Sequence, residues 1–165
     1  PDIVTLGKPM GNGHPLAGVV ARADLIEEFG AWGMYFNTFA GNPVSCAVGN
    51  AVLDVLEQED LLSNAVTVGH YIAERLDALQ AKYSIIGDVR HKGLFFGVEL
   101  VSDQDSRQPA SVSAMRVVNE MCQKGVLISR IGLHDNVLKM RPPMSFTHEH
   151  ADILLETLDH CLAEL

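Results

Sequence analysis

The sequence of 165 residues lacks strong positive charge, long apolar runs and paired cysteines. Twelve basic residues stand against 21 acidic ones, for a formal charge of −9, and no block of lysine or arginine stands out, so nucleic acid is not an expected partner. The longest apolar runs fall far short of the roughly 18 residues that a membrane helix needs, so no membrane association is expected. Three widely separated cysteines form no CxxC pair, which we interpret as reduced core thiols of a cytoplasmic protein.

What is present is a globular composition, 47% hydrophobic and 20% charged, which excludes disordered and collagen-like classes. The length allows one ordinary domain or two small ones. A β-branched strand begins at Ile3 without an initiator Met before it, so we expect a fragment of a longer protein.

The first part of the chain is rich in glycine and turn residues. Buried strands are predicted at Ile3–Leu6 and Leu16–Ala21, separated by a segment that can hold neither a helix nor a central strand. A short helix at Ala23–Phe29 leads into a loop, Gly30–Gly41, with several aromatic residues. Asn42 then predicts the start of a long helix because it is a good N-cap.

The rest of the chain alternates helices and strands, which indicates an α+β layer in which helices cover a small sheet. A helix with an apolar stripe runs through Val68, Ile72, Leu76, Leu79 and Tyr83. The later predicted elements are strands at Ile85–Arg90, Leu94–Val101, Val126–Ile131 and Val137–Met140, a helix at Pro109–Gln123 and a final helix capped by Thr147.

Lys8 is the first candidate for chemistry. It follows a predicted buried strand and lies between Gly7 and Pro9. A lysine held there by a constrained backbone suits Schiff-base formation, which needs an amine held near a carbonyl and partly desolvated. Taken alone, the same features are also typical of a solvent-exposed loop lysine.

A second candidate is the segment from Asn37 to Pro43. It places the Thr38 hydroxyl and several backbone N–H groups just before a helix N-terminus, which is typical of a phosphate site. The same pattern is equally typical of a capped helix that follows a glycine turn.

Together and in this order, the motifs resemble those of class III (ω-type) aminotransferases, fold type I enzymes that use pyridoxal 5′-phosphate. The resemblance extends from Pro1–Pro15 through Asn37–Cys46 and Gly87–Leu94 to Leu138–Pro143. It implies an α/β fold type I enzyme, of which this chain is a C-terminal fragment. Residues 1–60 would end the large cofactor-binding domain, and residues 61–165 would form the small α+β C-terminal domain.

The resemblance also implies roles for single residues. Lys8 matches the family lysine that forms a Schiff base with the cofactor and then moves a proton from the substrate Cα. Thr38 matches the threonine that hydrogen-bonds the cofactor phosphate, typically in the partner subunit's site, which implies a homodimer with a shared active site.

No metal site is expected. His148 and His150 are separated by two positions at the start of a helix, so their side chains point in different directions.

One segment departs from a common family pattern. Many relatives have an arginine at the position of Lys139, where it grips an α-carboxylate through two parallel hydrogen bonds that lysine cannot reproduce. Lys139 therefore weakens the case for an ordinary α-amino-acid substrate. Arg141 is the other candidate substrate-binding cation, because strand alternation places both on one face. The same pattern is equally compatible with Lys139 and Arg141 being exposed strand residues that bind nothing.

The expected function is transamination between an amine or ω-amino acid and a keto acid. The same motifs, with lysine at position 139, resemble a subgroup that contains phosphoethanolamine and phosphohydroxylysine phospho-lyases, which eliminate phosphate instead. The family's pyridine-pairing carboxylate, ring-stacking aromatic and main phosphate-binding turn precede the lysine and are absent here. These 165 residues alone are therefore expected to show weak or no catalysis, and a non-catalytic assembly module is the third hypothesis.

Overall fold

A computed structural model describes residues 1–165 and divides them into two compact units, 1–60 and 61–165. In the first unit, strands β1 (Ile3–Leu6) and β2 (Gly18–Ala21) form an antiparallel ribbon in which Ile3 lies opposite Ala21. Helices α1 (Ala23–Trp32) and α2 (Pro43–Gln58) follow. The second unit begins with the next helix, and its assignment to a small C-terminal domain stays a prediction.

The ribbon corrects two predictions about the first unit. All four residues of β1 are exposed, and β2 is at most half-buried, so neither is the buried strand expected from its β-branched residues. The reason is that a two-stranded ribbon has no sheet face covered by a further layer within this unit. The segment between the strands also holds a single 3₁₀ turn, Lys8–Gly11, in which Pro9 occupies an early position that needs no N–H donor.

The second unit is a four-stranded antiparallel sheet in the order β3-β4-β6-β5, covered by three helices. Its elements are α3 (Leu61–Lys82), β3 (Ile86–Lys92), β4 (Phe95–Leu100), α4 (Ser111–Gln123), β5 (Ser129–Ile131), β6 (Val137–Met140) and α5 (His148–Ala163). The α+β layer predicted for this part of the chain is therefore present. β5 is shorter than expected, because its pairing with β6 covers only three residues.

The core lies between the helices and one face of the sheet. Alternate strand residues such as Phe96, Val98 and Leu138 are fully buried against it. The predicted stripe on α3 is buried from Val68 to Leu79. The opposite sheet face carries Gly97 and Lys139, which pair with one another across β4 and β6.

Capping groups set where two helices begin. The Asn42 side chain accepts hydrogen bonds from the N–H groups of Val44 and Ser45 at the start of α2. At the start of α5, Thr147 and His150 form a reciprocal capping box. Both N-caps are therefore where the sequence predicted them.

The cysteines correct a further expectation. Cys161 is buried, but Cys46 and Cys122 are exposed, so two of the three are not core thiols. All three are free, and the cytoplasmic location inferred from them stays a prediction. None of the helices combines the length and the apolar character needed to cross a membrane.

Candidate functional site

Lys8 opens the 3₁₀ turn that follows β1. Its backbone φ is +45°, in the left-handed region that residues other than glycine adopt at a cost. The preceding Gly7 is extended, with φ −161°, so the chain changes direction sharply at the lysine. The Lys8 side chain is exposed and has neither an ion pair nor a hydrogen bond. The partial desolvation expected for this amine is therefore not provided by the residues of the first unit.

The turn that carries Lys8 is fastened to helix α2. The His14 Nε2 and Ser45 Oγ atoms are 2.8 Å apart and share a hydrogen bond. Gly11 is buried in the same turn, where a Cβ atom would lie 3.1 Å from the Cβ of Leu16. Gly49 on α2 leaves room for the Leu16 side chain, since a Cβ there would lie 2.8 Å from Leu16 Cδ2. The backbone that follows Lys8 is thus held against α2 through His14 and Leu16.

Thr38 lies in the turn that leads into the same helix. The Asn37 side chain accepts a hydrogen bond from the Phe39 N–H at 3.1 Å, and Gly41 completes the turn with φ +68°. The Thr38 side chain is exposed and makes no hydrogen bond. Asn42 already satisfies two N–H groups of the α2 first turn, so the helix N-terminus offers fewer free donors for an anion than its sequence suggests.

Lys8 and Thr38 carry the two functional groups that matter for the cofactor implied by the sequence. A Schiff base needs an uncommitted primary amine, and Lys8 supplies one; a phosphate needs uncommitted donors, and the Thr38 hydroxyl is one. Both candidates lie on segments connected to the first turn of α2, one through Ser45 and one through Asn42. Lys8 and Thr38 therefore each supply a group that a phosphate-bearing aldehyde needs.

The two predicted substrate-binding cations lie in different surroundings, one within a strand and one beyond its end. Lys139 is half-buried within β6, with Gly97 beside it on β4 and Ser129 beside it on β5. Arg141 lies beyond the end of β6, because Pro142 and the residue after it cannot continue the strand. Because Arg141 is not part of β6, the register of that strand does not fix its direction, and the expectation that Lys139 and Arg141 share a face stays a prediction.

Sequence reasoning missed one residue of this site. Ser45 fastens the Lys8 turn to α2 through His14, yet a serine in the first turn of a helix carries no signal of such a partner 31 positions away. Through this hydrogen bond, His14 packs its loop against α2. His148 packs against Tyr71, with ring centroids 4.8 Å apart.

The sequence matches the family described as aminotransferase class-III over residues 1–162. A curated relative, alanine--glyoxylate aminotransferase 2-like from Drosophila melanogaster, is 48% identical over 164 residues, which is 98% of this chain and 33% of the relative. The chain thus spans about a third of the length of that relative.

Two solved structures are similar in fold and sequence. A phospholyase from Arthrobacter in complex with phosphoethanolamine superposes with a TM-score of 0.96 and 53% identity, over 100% of this chain and 39% of that one. A PLP-bound amine transaminase from an uncultivated Pseudomonas species has a TM-score of 0.87 and 36% identity, over 99% of this chain and 38% of that one.

Proposed function

Because the chain belongs to the class-III aminotransferase family, we propose that it is the part of a transaminase in which Lys8 binds pyridoxal 5′-phosphate. The observation that carries the proposal is an uncommitted lysine amine on a left-handed backbone, in a turn fastened to α2. Backbone strain of this kind persists only where surrounding contacts hold it, and it is concentrated at functional sites. The proposed reaction moves an amino group between an amine or ω-amino acid and a keto acid.

Pyridoxal 5′-phosphate is the cofactor of this family. When bound, it supplies an aldehyde that condenses with amines and a ring that withdraws electrons from the carbon that bears the amine. Lys8 would hold the aldehyde end through Nζ, and the Thr38 hydroxyl would donate to the phosphate of the cofactor in the partner subunit's site. The same Nζ atom would take the proton from the substrate Cα.

The substrate-binding cation in this proposal is Lys139, with Arg141 as the alternative. Lys139 has no ion pair, and its neighbours across the sheet, Gly97 and Ser129, are small. An ammonium group attracts an anion as a point charge and does not impose the planar two-point geometry that favours a carboxylate. This supports a substrate whose anionic group is not held as an α-carboxylate.

A homodimer with a shared active site is also part of the proposal. The segment before Thr38 exposes large apolar side chains, including Trp32 at 89% and Phe36 at 80%. Contiguous exposed apolar surface of this kind is typical of a protein–protein interface. A second copy that covered this segment would bring Thr38 to the boundary between subunits.

Borohydride reduction tests the role of Lys8. Reduction of the full-length protein with bound cofactor, followed by peptide mapping, should place a pyridoxyl group on Lys8. An adduct on any other residue would overturn the proposal. The chain of residues 1–165 alone should show weak or no turnover, because it spans only about a third of a curated relative.

A second candidate function is phosphate elimination from a phosphorylated amino alcohol. It is favoured by Lys139 and by the 53% identity to a phospholyase complexed with phosphoethanolamine. Elimination releases inorganic phosphate without an amino acceptor, whereas transamination requires a keto acid. Phosphate release from phosphoethanolamine in the absence of any keto acid would establish elimination, and amine transfer that depends on the keto acid would establish transamination.

A further inference from the structure

An open cleft of about 330 Å³ lies in the second unit, between α5 and the segments that precede β5 and follow β6. Its walls are mainly apolar and include Leu127, Phe146 and Ile153. Leu127 is 85% exposed and Ile153 is 57% exposed. Apolar side chains that line an open concave surface together are typical of a ligand site, since a bound molecule would remove them from water.

The lining of this cleft carries a positive charge and no negative one. No aspartate or glutamate lines it, although the chain contains 21 acidic residues. Arg141 is part of its lining and has neither an ion pair nor a hydrogen bond. Each of the other six arginines has at least one such partner: Arg22, Arg75, Arg90, Arg107, Arg116 and Arg130. The cleft therefore presents a guanidinium group with all its donors uncommitted.

His150 adds a second donor to the lining. The backbone N–H of Thr147 donates to His150 Nδ1 at 3.3 Å, so Nδ1 carries no proton. In a neutral imidazole the proton must then be on Nε2, which is left as a donor. Arg141 and His150 thus both offer hydrogen-bond donors, and neither side chain supplies a free acceptor.

We propose that this cleft is a binding site for a small monocarboxylate with an apolar body, such as a short-chain alkanoate. The planar guanidinium of Arg141 matches a carboxylate through two parallel hydrogen bonds, and the apolar body would cover Leu127, Phe146 and Ile153. An amine of the same shape would meet the positive charge of Arg141 and no acidic side chain. A bare inorganic anion would leave the apolar walls in water. The site uses Arg141 and not Lys139, so it is independent of the proposed function in which Lys139 is the substrate-binding cation.

Photo-labelling of the full-length protein tests both the place and the chemistry. The probe is 4,4-azipentanoate, a short alkanoate that carries a diazirine, and the comparison probe is the corresponding diazirine alcohol. We expect the carboxylate to label peptides that contain Leu127, Phe146 or Ile153, with labelling suppressed by excess pentanoate. The alcohol should label these peptides weakly. Labelling confined to the peptide that contains Lys8 would overturn this proposal while leaving the proposed function intact.

Matched variants distinguish the contribution of the Arg141 charge to binding from the contribution of the apolar walls. Titration calorimetry with pentanoate should show that Arg141→Gln weakens binding by about tenfold or more, as expected for the loss of a charge-assisted hydrogen bond. Arg130→Gln, which removes an arginine that is already paired with Asp135, should leave the affinity unchanged. Ile153→Asn should weaken pentanoate binding more than acetate binding. Equal affinity of Arg141→Gln and the parent protein for pentanoate would overturn the proposal.

Discussion

The His14 imidazole and the Ser45 hydroxyl share a hydrogen bond of 2.8 Å that joins the Lys8 turn to the first turn of α2. Asn42, three residues before Ser45, caps the same helix and ends the turn that contains Thr38. The start of α2 is therefore the common support of both proposed cofactor-binding residues. A change at Ser45 should affect cofactor binding, although this residue need not touch the cofactor.

Ser45→Ala is expected to weaken cofactor binding about fivefold, since a net hydrogen bond contributes about 1 kcal/mol. The measurement is the equilibrium constant for pyridoxal phosphate, followed by absorbance. Ser45→Thr keeps a hydroxyl and should restore most of the affinity. Ser113→Ala, which removes a hydroxyl from α4 in the second unit, should have no effect; an equal loss in that variant would show that the effect is not specific to the His14 contact.

Lys8→Ala should abolish the Schiff base, because no other group can supply the amine at this position. The yellow colour of the bound cofactor should be lost, and turnover should fall by several orders of magnitude. Lys124→Ala removes an exposed lysine of the second unit and serves as the control. Unchanged colour and turnover in Lys8→Ala would end the assignment of this residue.

Lys139→Gln should raise KM for an anionic substrate by about tenfold or more while kcat changes less, because a group that binds a remote part of the substrate acts mainly on binding. Lys139→Arg keeps the charge and adds planar geometry, so it should shift preference towards α-carboxylate substrates. The check is steady-state kinetics with phosphoethanolamine and with an α-amino acid. Lys92→Gln, at the end of β3, is the charge-matched control and should leave both KM values unchanged.

Gly69→Ala should destabilise the second unit, although alanine normally favours a helix. An added Cβ would lie 2.6 Å from the Gly93 carbonyl oxygen, a backbone atom that cannot move aside alone. The expected loss is about 1–3 kcal/mol in the free energy of unfolding. Gly30→Ala on α1 has open space around it and should instead stabilise its helix by about 0.5–1 kcal/mol. Denaturation in urea measures both, and a stabilised Gly69→Ala variant would contradict the packing described for α3.

Asp159 on α5 should make stability depend on pH. Hydrogen bonds from Lys82 and then Tyr83 lower the pKa of this carboxyl below its ordinary value of 3.8. The stabilisation is therefore present above that ordinary pKa and is lost as the pH falls through the lower value of the folded state. Its size is small because the pair is exposed.

The corresponding experiment compares urea unfolding of the parent protein and Asp159→Asn at neutral and acid pH. The variant should be less stable at pH 7, and the difference should disappear below the folded-state pKa. Asp77→Asn, on the exposed side of α3, should show no such pH-dependent difference. A difference for Asp159→Asn that persists unchanged in acid would show that the ion pair is not its source.

Much of this structure follows from local patterns. The stripe from Val68 to Leu79 predicted a core-facing helix, and Asn42 and Thr147 predicted helix starts, because spacing and capping act over only a few residues. β1 was predicted as buried because its β-branched residues suit a strand, but sequence cannot say whether a second layer covers that strand. Strand alternation predicted that Arg141 shares a face with Lys139, but β6 ends at Met140, so the alternation does not extend to Arg141.

The sequence by itself determined the family, the candidate lysine and the order of helices and strands, since each rests on residues that are close together in the chain. The tertiary structure alone decided that Ser45 supports the Lys8 turn and that Arg141 lines an apolar cleft beside α5. It also decided that Lys139 lies next to Gly97. These relationships join residues that are far apart in sequence, and such contacts are set by packing and strand register rather than by local preference.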